Sequence, residues 1–326
     1  RIQMFNAEVS VVVESKVFPK LLDISRSLWI VYVGLTFILT ILLLLGGLDL
    51  FDSLSHSFST IATGGFSTKN DSIGAFSPLV QYLIAIFMIL SGINFSLYVF
   101  LFKKNFSKVF LNEELKFFII LILVVTLLIF GSLLLSRQNP NVETTFREAF
   151  FQTVSILTTT GFHTSDYLEW NNFAMVLIII LMFTGACAGS TTCNIKIIRH
   201  VIIFKSIRGY LKKMMHPDAV TVVRYNKTVI TPEIANNTLI FIVTYFAILA
   251  ISVLIISFTG IDVETSIGCV VSTLGCIGPG IGKVGPMGNY GFLHPFGKFF
   301  LSFLMILGRL EIFTVLIIFT RGFWKG

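Results

Sequence analysis

The chain is 326 residues long, 55% hydrophobic and 13% charged, with 34 Phe, a mean hydropathy of +0.87 and a formal net charge of +7. That composition excludes an ordinary soluble domain and points to a chain whose outer surface faces lipid. The sequence has no nucleophile–base pair, no clustered metal ligands and no phosphate-binding glycine loop, so neither an enzyme nor a bound cofactor is expected.

Residues 1–26 read as a cytoplasmic linker arriving from an earlier span, and a further module is expected ahead of them. An uncharged run from Leu28 to Leu48 follows, and a bilayer needs about 20 such residues. Neither its flanks nor its length match a signal peptide. Next come a short helix-like stretch opening at Asp52-Ser53, a small-residue segment Ala62, Thr63, Gly64, Gly65, and a returning run from Leu79 to Phe102. The same parts recur. Phe117 to Ser136, Glu143-Thr144, the segment Thr158, Thr159, Thr160, Gly161, and Asn171 to Ile195 form one set. Ile234 to Ile261, Asp262 to Glu264, the segment Gly275, Cys276, Ile277, Gly278, and Phe299 to Thr320 form the next, with only Arg309 and Glu311 charged in the last run. This is a duplicated membrane module. The predicted fold is an all-α membrane protein of helix–pore loop–helix modules around a central pore, divided as 27–104, 105–213 and 214–326, three visible of an expected four.

Charge orients the spans. Placing 1–26, 103–116, 196–227 and the tail from Arg321 on one face collects 18 of the 24 Lys and Arg; the other face keeps Lys69, Arg137, Arg147, Lys283 and Lys298. The positive-inside rule makes the first face cytoplasmic. The net positive charge is therefore inner-leaflet anchoring, and no nucleic-acid partner is expected. The outer loops are net negative and attract cations to that mouth.

Each small segment carries a serine six residues before its aligned glycine: Ser59 before Gly65, Ser155 before Gly161, Ser272 before Gly278. A dehydrated cation needs several oxygens at once, and Thr/Gly segments turn backbone carbonyls inward because no bulky side chain blocks the approach. The acidic residue opening each preceding helix suits a helix N-terminus, which leaves the negative end facing the segment. Three such walls read as a cation filter.

Ala-Thr-Gly-Gly-Phe-Ser at 62–67, Leu-Thr-Thr-Thr-Gly-Phe at 157–162, Gly-Pro-Gly at 278–280, Gly185-Ala186-Cys187-Ala188-Gly189-Ser190-Thr191 and Gly308-Arg309-Leu310-Glu311 occur in this order along the whole chain. Together they resemble the Trk/Ktr/HKT superfamily of potassium transporters, most closely the Trk potassium-uptake membrane subunits. The visible modules would be the second, third and fourth of that family's four. The resemblance implies channel-like potassium uptake across the inner membrane of a prokaryote, a homodimer with one pore per subunit, and gating by a cytosolic nucleotide-binding ring. It also implies potassium contacts at Ala62, Thr63, Thr158, Thr159, Gly275 and Cys276. The glycine or serine that separates potassium from sodium preference in this superfamily belongs to the first module, outside this sequence. Two departures stand out: Cys276 where relatives usually carry Asn, and Thr192-Cys193-Asn194 where further glycines are common, which predicts a stiffer loop.

The run Gly185 to Thr191 packs small residues together in a returning span. Its functional reading is a gate loop over 185–194 beneath the filter; its plain reading is close helix packing. Arg309 costs roughly 2.5–3.5 kcal/mol in mid-span unless it faces a cavity, a carboxylate or carbonyls. One reading points it into the pore as a fixed positive charge; the other makes it an interhelical salt bridge. Glu311, about 200° further round a helix, is expected to anchor to a neighbouring span or to Lys196. Cys187, Cys193, Cys269 and Cys276 read as packing residues, and His163 as a solvated loop residue with a pH role as the weaker option. The basic stretch Arg199 to Lys213, interleaved with apolar residues, suits the inner leaflet or a regulatory subunit, and Arg321, Phe323, Trp324 and Lys325 an interfacial anchor. The competing function is a potassium:proton or potassium:sodium symporter working by alternating access, which would favour midplane ionisable residues and several broken helices; only one broken span is expected here.

Overall fold

The structure, a computed structural model, describes residues 21–136, 141–218, 222–226, 228–321 and 323–324, with side chains from residue 26 onward. The linker expected before residue 21, Arg137, Lys227 and Lys325 lie outside the described residues.

Three units repeat. In the first, the helix Leu21–Leu45 turns through Gly46-Gly47 into the pore helix Leu50–Ile61, and Pro78–Gly92 with Phe95–Phe102 returns. In the second, Glu113–Leu135, pore helix Val142–Leu157 and Asn172–Leu181 lead into a loop and then the helix Ile197–Met215. In the third, Pro232–Ser257, pore helix Val263–Leu274 and Pro295–Arg309 with Ile312–Ile318 complete the chain. A two-stranded antiparallel ribbon, Arg224–Tyr225 with Thr228–Val229, lies between the second and third units. Of these helices, Arg26–Leu45, Glu113–Leu135 and Pro232–Ser257 have the length and composition to cross a bilayer unbroken.

Polarity is distributed inside out. The long helices turn side chains such as Trp29 (65% exposed) and Leu254 (71% exposed) outward, as lipid contact requires. The pore helices, buried at the centre, hold Ser53, His56, Ser57, Ser59 and Thr60 in the first unit and Thr265, Ser266, Ser272 and Thr273 in the third. Three of these hydroxyls bond back to carbonyls one turn earlier, Ser57 to Ser53 at 2.6 Å, Thr60 to His56 at 2.6 Å and Thr273 to Cys269 at 2.7 Å, so these buried oxygens are partnered within the helix. Each pore helix starts at a side-chain cap: Asp49 accepts from the Asp52 N–H at 2.9 Å, Asn141 from Glu143 at 3.1 Å and Asp262 from Thr265 at 3.0 Å. The caps in the first two units thus lie upstream of Asp52-Ser53 and Glu143-Thr144, whose acids occupy the first turn.

All three returning spans are broken, where the sequence led us to expect one. Pro78–Gly92 and Phe95–Phe102 meet at 92°, and Pro295–Arg309 and Ile312–Ile318 at 113°. Apolar Ile93 and Leu310 conceal the breaks from a hydropathy reading. At the first, Asn94 caps a new helix by accepting from the Ser96 N–H at 2.8 Å, and the freed Gly92 carbonyl and Phe95 N–H bond to Cys187 and Gly189 at 3.1 and 3.0 Å. At the second, Glu311 adopts φ 59°, outside any helical conformation.

Candidate functional site

The three small-residue segments share one backbone. Ala62, Thr158 and Gly275 cap the pore helices in right-handed geometry. The next residues, Thr63, Thr159 and Cys276, take φ values of 52°, 52° and 53°, and Gly65, Gly161 and Gly278 are again left-handed at 70°, 86° and 105°. A left-handed non-glycine residue costs about 1–3 kcal/mol and persists only where its surroundings impose it. Three equivalent occurrences mark a designed bend. The N–H groups of Gly64, Thr160 and Ile277 each return to the serine carbonyl, Ser59, Ser155 and Ser272, at 2.7, 2.9 and 2.9 Å. The serine hydroxyls clamp the far end: Ser59 Oγ accepts from the Phe66 N–H at 2.7 Å, Ser155 Oγ donates to the Phe162 carbonyl at 2.6 Å, and Ser272 Oγ donates to the Gly278 carbonyl, which Tyr290 also reaches at 2.9 Å. Among the described residues, no hydrogen bond reaches the carbonyls of Thr63, Gly64, Thr159, Thr160, Cys276 and Ile277. Unpartnered carbonyls at the heart of a membrane protein need water or a cation.

The walls follow one another in chain order. A Cβ on Gly65 would lie 2.0 Å from the Thr160 carbonyl oxygen, and one on Gly161 would lie 1.8 Å from that of Ile277. Each wall's glycine therefore makes room for the next wall's oxygen. At Gly278 the nearest atom to such a Cβ is the Gly161 Cα at 4.0 Å. That side is open, and a cavity of about 920 Å³ runs between the first and third walls, past Gly65, Phe66, Gly278, Tyr290 and Met305, down to Arg309.

The loop that follows Asn172–Leu181 lies directly against the small-residue segments. Thr63 Oγ1 donates to the Thr191 carbonyl at 3.0 Å, and Thr159 Oγ1 accepts from the Cys193 N–H at 2.9 Å. Gly185 and Ala186 pair with Ile195 and Ile197 through the backbone at 2.9 and 3.1 Å, closing the loop at its neck. Cys187, Ala188 and Cys193 are buried, and Ser190 bonds to the Cys187 carbonyl and Thr192. Asn194, left-handed at φ 70°, donates to Met182 at 2.6 Å and accepts from Tyr245 at 3.1 Å.

Charged side chains grip the loop backbone. Arg309 lines the cavity, and its Nη1 donates to the Thr191 carbonyl at 2.6 Å and to Cys193 Sγ at 3.2 Å. Buried Lys196 donates to the Thr192 carbonyl. Glu114, 3% exposed, accepts from the Ala188 N–H at 2.7 Å. Glu311 pairs with Arg199 at 2.6 Å, not with Lys196, and Arg199 stacks 3.8 Å from the Phe241 ring centre. Sequence reasoning missed Glu114 and the loop contact of Lys196. Glu114 reads as an ordinary acidic first turn and its partner Ala188 lies 74 residues away, whereas Lys196 turns back onto Thr192, four residues before it.

All four cysteines are free. Cys193 and Cys276 do more than pack: the first takes the Arg309 hydrogen bond and the second reaches the Met305 carbonyl at 3.4 Å. His163 is half-buried between outer loops, not solvated, with its carbonyl accepting from Ile73 and Gly74 at 3.1 and 3.2 Å, and burial pushes its imidazole below the ordinary value. At the outer mouth a 2.6 Å hydrogen bond from Thr68, aided by Lys69, holds the Asp52 carboxyl below the usual carboxylate range.

Residues 5–324 match the family described as TrkH, cation transport protein. The chain is 37% identical to the Trk system potassium uptake protein TrkH of Salmonella typhimurium, over 99% of this chain and 67% of that protein, and 36% identical to that of Escherichia coli K12 over the same shares. It is thus about two-thirds as long as these relatives. The crystal structure of the potassium transporter TrkH from Vibrio parahaemolyticus superposes with a TM-score of 0.89 at 32% identity, covering 98% of this chain and 70% of that one. With matching sequence, matching fold and the same apolar helices, the chain is a multi-pass membrane protein and belongs to the TrkH family of cation transport proteins.

Proposed function

We propose that this chain carries potassium into a prokaryotic cell across the inner membrane by channel-like conduction through the three walls at 62–65, 158–161 and 275–278. The observation that carries this reading is the thrice-repeated bend with its unpartnered carbonyls. Three pore helices end at those carbonyls, so their negative ends add to the field a cation meets. The open side between Gly278 and the first wall is closed in the working protein by a fourth wall of the same kind. That wall meets Gly278 as Ile277 meets Gly161.

The loop at 185–194 is the gate. Held against Thr63 and Thr159, it blocks the path below the filter, and Arg309 acts there twice, as a positive charge facing the cavity and as the donor that fixes the Thr191 carbonyl. The protein acts as a homodimer under a cytosolic nucleotide-binding ring. The helix Ile197–Met215, with Lys205, Arg208, Lys212 and Lys213 beside exposed Phe204 and Tyr210, offers that ring or the inner leaflet a basic, apolar face.

A coupled symporter is the second reading, and the three broken returning spans favour it, because carriers build ion sites from discontinuous helices. Ion flux through the reconstituted full-length protein, with and without a membrane voltage, separates the two. Potassium flux that follows the electrochemical gradient supports conduction; accumulation beyond that gradient overturns it in favour of symport.

A further inference from the structure

One buried group has no part in the conduction path yet touches the cytoplasmic side and the loop at once. Glu114 begins the span Glu113–Leu135 at its cytoplasmic end and is 3% exposed. Its Oε1 accepts from the Ala188 N–H in the loop at 2.7 Å and from the Ile198 N–H at 3.2 Å, and its Oε2 accepts from the Tyr225 hydroxyl at 3.4 Å. These three donors belong to the loop's middle, the first turn of the helix Ile197–Met215, and the ribbon strand Arg224–Tyr225. That helix has no cap of its own, since Lys196 makes no side-chain bond there. A carboxylate from another span serves instead, at the helix end where negative charge is favoured. The ribbon is fixed to the same spot by two further contacts. Asn226 Oδ1 accepts from the Glu113 N–H at 2.9 Å, and Lys205 bonds both to Glu113 and, at 2.7 Å, to the Arg224 carbonyl.

We propose that Glu114 is the positioning residue that couples the cytoplasmic ribbon and the start of the 197–215 helix to the intramembrane loop, so that displacement of either on the cytoplasmic face moves the loop at Ala188. This rests on the reading of 185–194 as the gate. A carboxylate buried to this degree is retained only where its oxygens are filled, and all three of its partners sit on elements that must shift together for the loop to leave the filter. Among the described residues, its hydrogen bonds go to Ala188, Ile198 and Tyr225 and none to the filter. Its removal therefore alters how often the pore opens and leaves what passes through it unchanged.

The test is single-channel recording of the full-length protein in planar bilayers, comparing Glu114→Gln, Tyr225→Phe and Arg309→Ala with the wild type. Glu114→Gln keeps the shape and exchanges charge-assisted bonds for neutral ones, which predicts an open probability raised about five-fold. Tyr225→Phe cuts only the ribbon link and predicts a rise of about two-fold. Unitary conductance and the potassium-to-sodium ratio stay at wild-type values in both, a split that general loss of structure does not produce. Should Glu114→Gln fail to assemble, Tyr225→Phe carries the test alone. If Arg309→Ala alters open probability while the other folded variants match the wild type, the coupling is overturned and the gate reading stands. If Arg309→Ala changes nothing either, both fall.

Discussion

The proposed filter and the proposed gate loop beneath it are built on opposite principles. The filter is repetitive and neutral: three copies of one bend, held by serine hydroxyls and left-handed residues, with the carbonyls left free. The loop is held by charge: Glu114, Lys196 and Arg309 each take a backbone group of a segment that has no copy among the described residues of the other units. A filter must present one fixed geometry, and repetition around a ring supplies it. A gate needs a position it can leave, and a few strong, separable contacts define one.

Substitutions at the filter glycines give the largest expected effect. Gly161→Ala sets a Cβ 1.8 Å from the Ile277 carbonyl at a φ of 86°, so rubidium uptake falls by at least about ten-fold, while wild-type-like expression shows the loss to be local. Gly278→Ala sharpens the comparison. Its Cβ meets nothing nearer than 4.0 Å among the described residues, so equal damage in the full-length protein supports a fourth wall there, and a mild phenotype contradicts it.

Next in size is Arg309→Ala. Losing a charge-assisted bond to the Thr191 carbonyl is expected to raise potassium flux about ten-fold. Unchanged or lower flux from folded protein would return Arg309 to a structural role. A smaller effect belongs to Ser155→Ala, which removes the hydroxyl bond to Phe162 and loosens one wall by about 1 kcal/mol. The potassium-to-sodium permeability ratio should fall a few-fold with gating unaltered.

The smallest effect is set by pH. His163 has its proton affinity lowered by burial, so the folded outer mouth resists protonation that the unfolded chain accepts near the ordinary imidazole value of 6.5. Its stability contribution is complete above that value and lost as pH falls below it. Thermal unfolding in detergent should show a decline below pH 6.5 that His163→Asn reduces.

The repeated bend was legible because its constraints are local. Thr/Gly segments after a short helix, repeated with the same serine spacing, expose the bend directly in the letters. The loop was half legible: the crowding of Gly185, Ala186, Ala188 and Gly189 marked the interruption, but its anchors come from Glu114 and Arg309, 74 and 118 residues away from the positions they hold. The kinks at Ile93 and Glu311 were hidden for a related reason. Hydropathy averages over them, and the groups that compensate the broken helix lie on the loop. Glu311 itself found Arg199, a partner that no periodicity within its own helix could indicate.

In the proposed function, carbonyls of the three bends hold the passing ion. Thallium, a heavy monovalent stand-in for potassium, locates such sites by anomalous scattering in crystals of the full-length protein. Peaks are expected in contact with the carbonyl oxygens of Thr63, Thr159 and Cys276 and of the residues that follow them. Peaks confined to the cavity beside Arg309, or none between the walls, would contradict that function.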